Sequence, residues 1–179
     1  MRLNQPRLSP LTDEELPDAV KQAMGDGPML NIFRTLAHHP GLMKRWLVFA
    51  NHVLGKSTLA PRERELVILR IGWLCRSGYE WGQHVQIGLG SGLTQEEIDR
   101  IPLGARGDGW NDLERALLDA TDELHSDAFV SAATWARLAS LDDQQRIDLV
   151  FTVGQYNLVS MALNTLGVQP EPGLPEFPS

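Results

Sequence analysis

The sequence has 179 residues, and its 16 basic against 23 acidic side chains give a formal net charge of −7. This length favours one domain with a substantial core, and 42% hydrophobic with 22% charged residues exclude a globally disordered chain. The acidic balance argues against a nucleic-acid-binding protein, because neutralising phosphates requires a basic surface. No apolar run approaches the roughly 18–20 residues that span a bilayer, and the first residues lack the apolar core of a secretory signal. We therefore expect a cytoplasmic protein without nucleic-acid or membrane partners.

Prolines mark the predicted helix boundaries in the first third of the chain. Residues 1–27 predict an N-terminal arm with one short helix over residues 13–24, for which Thr12 and Glu15 form a capping pattern. Apolar residues recur at helical spacing over residues 30–54, and Pro40 splits this stretch into two helices. Pro61 opens the next helix, because a proline at the first helical position removes no internal hydrogen bond.

Helical periodicity continues through the second half of the chain. The predicted helices there cover residues 79–90, 95–101, 111–125, 131–139 and 142–167. The tail over residues 169–179 is rich in proline and cannot be helical, and no segment shows the alternation of a strand. The sequence predicts an all-α fold, with a helical domain over residues 28–168 between the arm and the proline-rich tail.

Three ionisable residues carry the clearest functional pattern. Glu80 and His84 are four residues apart, so in a helix they lie on the same face, one turn from each other. Glu65 lies where the preceding helix turns from charged to apolar, and a hairpin at Ser77 and Gly78 would bring it opposite this pair. Two carboxylates beside an imidazole form a proton-transfer set, because neighbouring charges shift the pKa of each group. The alternative is a solvated helix face on which these residues make structural ion pairs.

The neighbours of this set are candidates for substrate contact. Tyr79 and Trp81 flank it and would shield it from water, and His52 is placed to approach the helix of the first carboxylate. A metal ion held by the two carboxylates and the imidazole is an alternative with suitable ligand types, but we expect neither a metal nor another cofactor. For Tyr156 and Asn157, in the middle of the last helix, we favour a core hydrogen bond over a place in the site.

One block of the sequence, LAPRERELVILRIGWLCRSGYEWGQHVQIGLGSGLTQEEI, resembles the carboxymuconolactone decarboxylase superfamily. This superfamily includes the AhpD-like peroxidases. The flanking stretches NIFRTLAHHPGLMKRWLVFANHVL and VFTVGQYNLVSMALNTLGV are similar to helices of its longer members. The resemblance implies an AhpD-like helical bundle with a central antiparallel helix hairpin that carries the site, assembled as a trimer or hexamer. In the peroxidase branch a Glu precedes a Cys-x-x-Cys pair, and a His follows four residues after the second Cys. That pattern places the family's Glu at Glu65 and its His at His84.

The cysteine pair of the peroxidase branch is missing from this sequence. Its two positions fall on Ser77 and Glu80, and neither residue can form a thiolate or close a disulfide. The single cysteine, Cys75, lies two residues earlier, where a helical offset of about 200° turns it away from the site, and we expect it to be buried and inert. The sequence is therefore similar to the decarboxylase branch, in which a lactone acid loses carbon dioxide without a cofactor and a positioned acid protonates the resulting carbanion.

The resemblance and the residue pattern together favour a cofactor-independent lyase or decarboxylase that acts on a small carboxylated lactone or cyclic acid. We expect His84 to be the general acid/base, Glu65 its orienting partner and Glu80 the second carboxylate. An anionic substrate beside two carboxylates needs a cation, for which the candidates are Arg34, Arg62, Arg70 and Arg76. Two alternatives stay open, an AhpD-like peroxidase acting through Cys75 and a non-catalytic oligomer that binds a small ligand. We expect a homo-oligomer, because the helices offer more apolar surface than one small bundle buries.

Overall fold

A computed structural model describes residues 2–25, 27 and 29–178, and over these residues the chain is helical without strands. The all-α class predicted from the sequence is confirmed. Its elements, in chain order, are α1 (Asp18–Met24), α2 (Asn31–Leu36), α3 (Pro40–Gly55), α4 (Pro61–Leu74), α5 (Gly78–Gly90), α6 (Gln95–Arg100), a 3₁₀ segment (Ile101–Arg106), α7 (Asp112–Asp127), α8 (Ala132–Arg137) and α9 (Asp143–Leu166). Within the described part of the chain, no helix is both long and apolar enough to cross a membrane.

Helix starts agree with the prolines and capping residues of the sequence, except in the arm. Pro40 and Pro61 each begin a helix, as predicted. The first helix is shorter than predicted, because Pro17 adopts an extended conformation and disfavours helical geometry at the residue before it. Pro28, where the predicted domain begins, and Ser179, where the predicted tail ends, lie outside the described residues.

Helix α4 is the centre of the bundle. It packs against α5, α7 and α9, and its middle is buried on every side. Burying side chains of this size stabilises the fold by about 1.5–3 kcal/mol each, so this helix has little freedom to move. The buried aliphatic residues of α4, each at most 1% exposed, are Leu66, Val67, Ile68, Leu69 and Ile71.

Helices α4 and α5 form an antiparallel hairpin through a tight turn. Arg76 in that turn has a left-handed φ of 52°. Glycines allow the two helices to approach closely, since a Cβ on Gly88 would lie 3.2 Å from Leu69 Cδ1 and one on Gly72 would lie 3.4 Å from Glu80 Cβ. The hairpin therefore places one face of α5 directly against α4 over its whole length.

The C-terminal tail packs back onto the hairpin. Glu171 accepts hydrogen bonds from the Tyr79 hydroxyl at 3.1 Å, from Gln83 Nε2 at 2.6 Å and from the backbone N–H of Asn31 at 2.7 Å. Further along the tail, the Phe177 ring meets the ring of Trp81 edge-on at 5.8 Å. The tail thus contacts three α5 side chains and the start of α2.

Candidate active site

The α4–α5 hairpin brings Glu65, Glu80 and His84 into direct contact. His84 Nδ1 lies 2.7 Å from Glu65 Oε2, and His84 Nε2 lies 3.4 Å from Glu80 Oε2. All three residues are at most 5% exposed, so this is not the solvated helix face of the alternative interpretation. The imidazole is held between two carboxylates, one at each ring nitrogen.

Glu65 is the anchor of this arrangement. Its second oxygen, Oε1, accepts a hydrogen bond from Arg64 Nε at 3.1 Å, and the Arg64 cation offsets the charge of the buried carboxylate. The Glu65 carboxylate accepts a hydrogen bond from Nδ1–H of His84, and this bond fixes both the orientation and the tautomer of the ring. His84 therefore presents Nε2 towards Glu80.

The surroundings of Glu80 shift the pKa of its carboxyl group towards neutral pH. Burial raises its pKa to about 7, against the lowering effect of the His84 charge. Burial lowers the pKa of His84, but the hydrogen bond and charge of Glu65, with the charge of Glu80, outweigh it and leave that pKa raised. Glu80 and His84 can each hold a proton that the other could accept. Their 3.4 Å separation is longer than an ordinary hydrogen bond.

Glu80 and His84 line a cavity of about 140 Å³ between α2, α3, α5 and α9. The edge of His84 meets the ring of Tyr156 at 4.9 Å, with the two planes 89° apart. Burial raises the pKa of the Tyr156 hydroxyl well above its usual value, so this residue stays neutral. The other lining residues are apolar or neutral, namely Leu30, Ile32, Phe33, Trp46, Leu47, Ala50, Asn51, Leu54, Tyr79, Gln83, Ile87, Gln155 and Val159.

A second cavity of about 190 Å³ adjoins the first and shares Ile32, Trp46 and Val159 with it. It is the larger of the two, but no charged residue lines it. The smaller cavity is therefore the candidate active site, because it contains the groups that can transfer a proton.

Of the three predicted substrate contacts, only one lines the cavity. Tyr79 lines the cavity, as expected. Trp81 does not, because it is 3% exposed in the core on another side of α5, packed against Phe177. His52 is also absent from the lining, and its side chain is largely exposed beside Asp148, with Nε2 3.8 Å from Oδ1. The substrate-contact roles expected for Trp81 and His52 therefore have no support in the cavity of this chain.

The single cysteine lies away from the cavity, as expected for a core residue. Cys75 is buried, and its thiol donates a hydrogen bond to Asn157 Oδ1 at 3.1 Å. Burial raises the pKa of this thiol, which disfavours the reactive thiolate. Asn157 thus has the core hydrogen bond expected of it, whereas its neighbour Tyr156 lines the site.

None of the four arginines expected to bind a substrate carboxylate is among the lining residues of the cavity. Arg62 bonds Glu97 and Glu114, and Arg70 makes a two-pronged ion pair with Asp122. Arg34 bonds Asp13, and Arg76 is in the hairpin turn. The arginine next to the site is Arg64, which spacing does not single out because adjacent residues do not share a helix face.

Sequence reasoning missed Gln155 and favoured a core hydrogen bond for Tyr156, but both residues reach the cavity from α9. No local motif links them to the hairpin, since they lie about 70 residues away and meet it through the fold. Among the described residues, no group of three His, Cys, Asp or Glu side chains is arranged to hold a metal ion.

Comparisons with known proteins relate part of this chain to a family. Residues 40–123 match the model of the carboxymuconolactone decarboxylase family, and no curated protein matches the chain. Three solved structures have the same fold. The alkylhydroperoxidase AhpD core, a peroxidase-related protein from Ralstonia eutropha JMP134, is 20% identical over 92% of this chain and 93% of that chain, with a TM-score of 0.79. A peroxidase-related protein from Silicibacter sp. TM1040 is 18% identical over 96% of this chain and 92% of that chain (TM-score 0.72), and a cysteine-to-alanine variant of the debrominase Bmp8 in complex with 2,3,4-tribromopyrrole is 15% identical over 94% of each chain (TM-score 0.74).

At these identities the solved structures establish the fold, and the family match covers the segment from α3 into α7. That segment contains the whole α4–α5 hairpin with Glu65, Glu80 and His84. The segment that carries the candidate site is therefore similar to the carboxymuconolactone decarboxylase family.

Proposed function

We propose that this chain is a cofactor-independent lyase that uses His84 and Glu80 to transfer a proton to a small carboxylated lactone or cyclic acid. The observation that carries the proposal is the position of the two groups, 3.4 Å apart on the wall of a cavity. A general acid works best when its pKa is near the working pH, and the pKa of Glu80 is about 7. Proton transfer of this kind contributes about 10²–10⁴-fold to a rate.

The reaction consumes one proton from solvent per turnover and needs no other co-reactant. The bond between the carboxylate carbon and the ring breaks, carbon dioxide leaves, and the electron pair passes into the conjugated carbonyl. Glu80 or His84 Nε2–H then gives its proton to the carbanion carbon, and solvent restores that proton for the next turnover. Glu65 holds the His84 ring throughout and does not touch the substrate, because it is fully buried.

The charge of the site supports an anionic substrate without a lining arginine. Below about pH 7, where the pKa of Glu80 favours its protonated form and the raised pKa of His84 favours the imidazolium, the four groups Arg64, Glu65, Glu80 and His84 carry +1, −1, 0 and +1. The sum is one positive charge, and of the two cations that share Glu65 it is His84 that lines the cavity. A substrate carboxylate is therefore attracted to the residue that protonates its product.

The two other candidate functions have weaker support. Peroxide reduction by thiol chemistry needs a reactive cysteine, and the sole thiol is buried against Asn157 outside the cavity. A non-catalytic ligand binder would not require the proton-sharing arrangement of Glu80 and His84.

The test is a screen of lactone acids and aromatic acids for release of carbon dioxide, with His84→Ala and His52→Ala compared on each active compound. His52 is a matched control because it is a histidine outside the cavity. We expect His84→Ala to abolish release and His52→Ala to preserve it. No release from any compound, or equal release by His84→Ala, would contradict the lyase. Peroxide reduction that depends on Cys75 would favour the peroxidase instead.

A further inference from the structure

We propose that Gln155 is a specificity-determining residue, which orients the substrate by hydrogen bonding to an uncharged oxygen substituent such as a carbonyl or hydroxyl. This inference rests on the proposed function, because it concerns the ligand of the same cavity. It adds a second recognition point to the acid/base pair and assigns a chemical type to the group that binds there.

The side chain of Gln155 is buried at the cavity wall and has no hydrogen-bond partner among the described residues. It is 5% exposed and lines the cavity from α9. Within the described part of the chain, its amide makes no hydrogen bond to another side chain or to the backbone. The amide is not among the fully enclosed unpaired polar atoms of these residues, so it is accessible from the cavity, and an amide in such a position is normally paired. A ligand in the cavity would supply the missing partner.

The position of Gln155 relates it to the reacting groups. It precedes Tyr156, whose ring is in edge contact with the ring of His84, and both α9 residues line the same cavity as Glu80. A molecule that fills the cavity is therefore in contact with the amide on α9 and with the acid/base pair on α5. Two anchoring points restrict how a ring can turn in the site.

The lining of the cavity indicates that the partner of Gln155 is uncharged. Apart from Glu80 and His84, the lining residues are apolar, aromatic or neutral amides. A charged group against this wall would lose its hydration without gaining a counter-ion. An amide has both a donor and an acceptor, so it suits a carbonyl or a hydroxyl.

The test compares Gln155→Met with Thr152→Val. Methionine preserves the length and burial of the side chain but removes its amide. Thr152 is a matched control, because it is also a buried polar residue of α9 with no partner for its hydroxyl in the described residues, and it does not line the cavity. The probes are acetophenone, benzoate and toluene, which share a ring and carry a neutral acceptor, a charged acceptor and no acceptor. Binding is measured by calorimetry or by chemical-shift titration.

We expect Gln155→Met to weaken acetophenone binding by about 3- to 10-fold, the loss of one neutral hydrogen bond. Binding of benzoate and toluene should change by less than about twofold, and Thr152→Val should leave all three affinities unchanged. The melting temperature of Gln155→Met should not fall, because the amide has no hydrogen bond to lose among the described residues.

Three outcomes would overturn the proposal. Equal binding of acetophenone by wild type and Gln155→Met would show that the amide does not contact the ligand. An equal or larger loss for benzoate would contradict an uncharged partner, and a clear drop in melting temperature with unchanged affinities would indicate a structural role. Failure of the lyase proposal is distinguishable, because it shows as absence of carbon dioxide release while the binding difference between probes persists.

Discussion

Glu80 Oε2 and His84 Nε2 lie 3.4 Å apart, one turn from each other on α5, and both residues are 5% exposed. Glu65 occupies the other nitrogen of the ring at 2.7 Å, so Nε2 and the Glu80 carboxyl are the groups left to exchange a proton. Separate measurements of stability and of rate against pH can test this coupling.

The first prediction is that Glu80 makes the protein less stable as the pH rises. Burial raises the folded pKa of Glu80 to about 7 from an ordinary value of 4.5, so between these values the folded protein binds the proton more tightly than the unfolded chain. The stability from this residue is present below about pH 4.5 and is lost as the pH rises through 7. Relative to wild type, Glu80→Gln should gain on the order of 1–3 kcal/mol in free energy of unfolding between about pH 5 and pH 8.

Urea unfolding of both proteins across this pH range measures that difference. Glu96→Gln is the matched control, because Glu96 is an exposed glutamate in the first turn of α6. Curves for wild type and Glu80→Gln that stay parallel would contradict the raised pKa.

The second prediction concerns the pH dependence of turnover. The negative charge of Glu80 helps to raise the pKa of His84, so its removal should make the imidazolium easier to deprotonate. In Glu80→Gln the limb of the pH–rate profile that reports loss of the His84 proton should move to lower pH by about one unit. Steady-state kinetics over the same pH range checks this, and a shift to higher pH would show that Glu80 acts on the imidazole in another way.

The third prediction is that Cys75→Ser leaves turnover within about twofold of wild type. The thiol lies outside the cavity and bonds Asn157, and a serine hydroxyl can donate the same hydrogen bond. Thermal unfolding must be measured on the same sample. A large loss of turnover in a folded Cys75→Ser protein would favour thiol chemistry at Cys75 over the lyase mechanism.

Much of the candidate site could be predicted because it depends on local rules. Pro61 begins α4, Gly78 begins α5, and the spacing of Glu80 and His84 puts both on one helix face. Trp81 does not line the cavity, because the residue after Glu80 is turned by about 100° around α5, to the side that packs against Phe177. Gln155 and Tyr156 could not be found this way, since only tertiary packing brings α9 to the hairpin. The same holds for the Arg64 contact, which depends on how a long side chain folds back over Glu65.

The fourth prediction is a homo-oligomer, either a trimer or a hexamer, built on an exposed apolar stripe of α9. Four large apolar side chains of α9 are more than half exposed and recur at helical spacing, namely Ile147, Phe151, Leu158 and Met161. The Phe151 ring also meets Phe49 of α3 at 6.0 Å. An apolar stripe of this length on a free monomer is unusual, and a second copy of the chain would cover it.

Light scattering at micromolar concentration measures the assembly. Phe151→Glu should shift the mass towards the monomer, whereas Leu103→Glu should not, because Leu103 is equally exposed but lies in the 3₁₀ segment away from α9. A monomeric wild-type protein would contradict the prediction.

The last prediction treats Glu65 and His84 as one unit. Glu65 positions the ring through Nδ1 while Nε2 faces Glu80, so Glu65→Gln and His84→Gln should each lower kcat strongly, by about 10²–10⁴-fold for His84→Gln, with KM changed much less. The double variant should lose little more than His84→Gln alone, because residues that act together are not additive. If the pair only stabilised helix packing, each substitution would lower the melting temperature and activity would follow the folded fraction. Turnover and thermal unfolding measured on the same four proteins separate these cases, and independent, multiplicative losses in folded variants would refute the coupled mechanism even if the chain proves to be an enzyme.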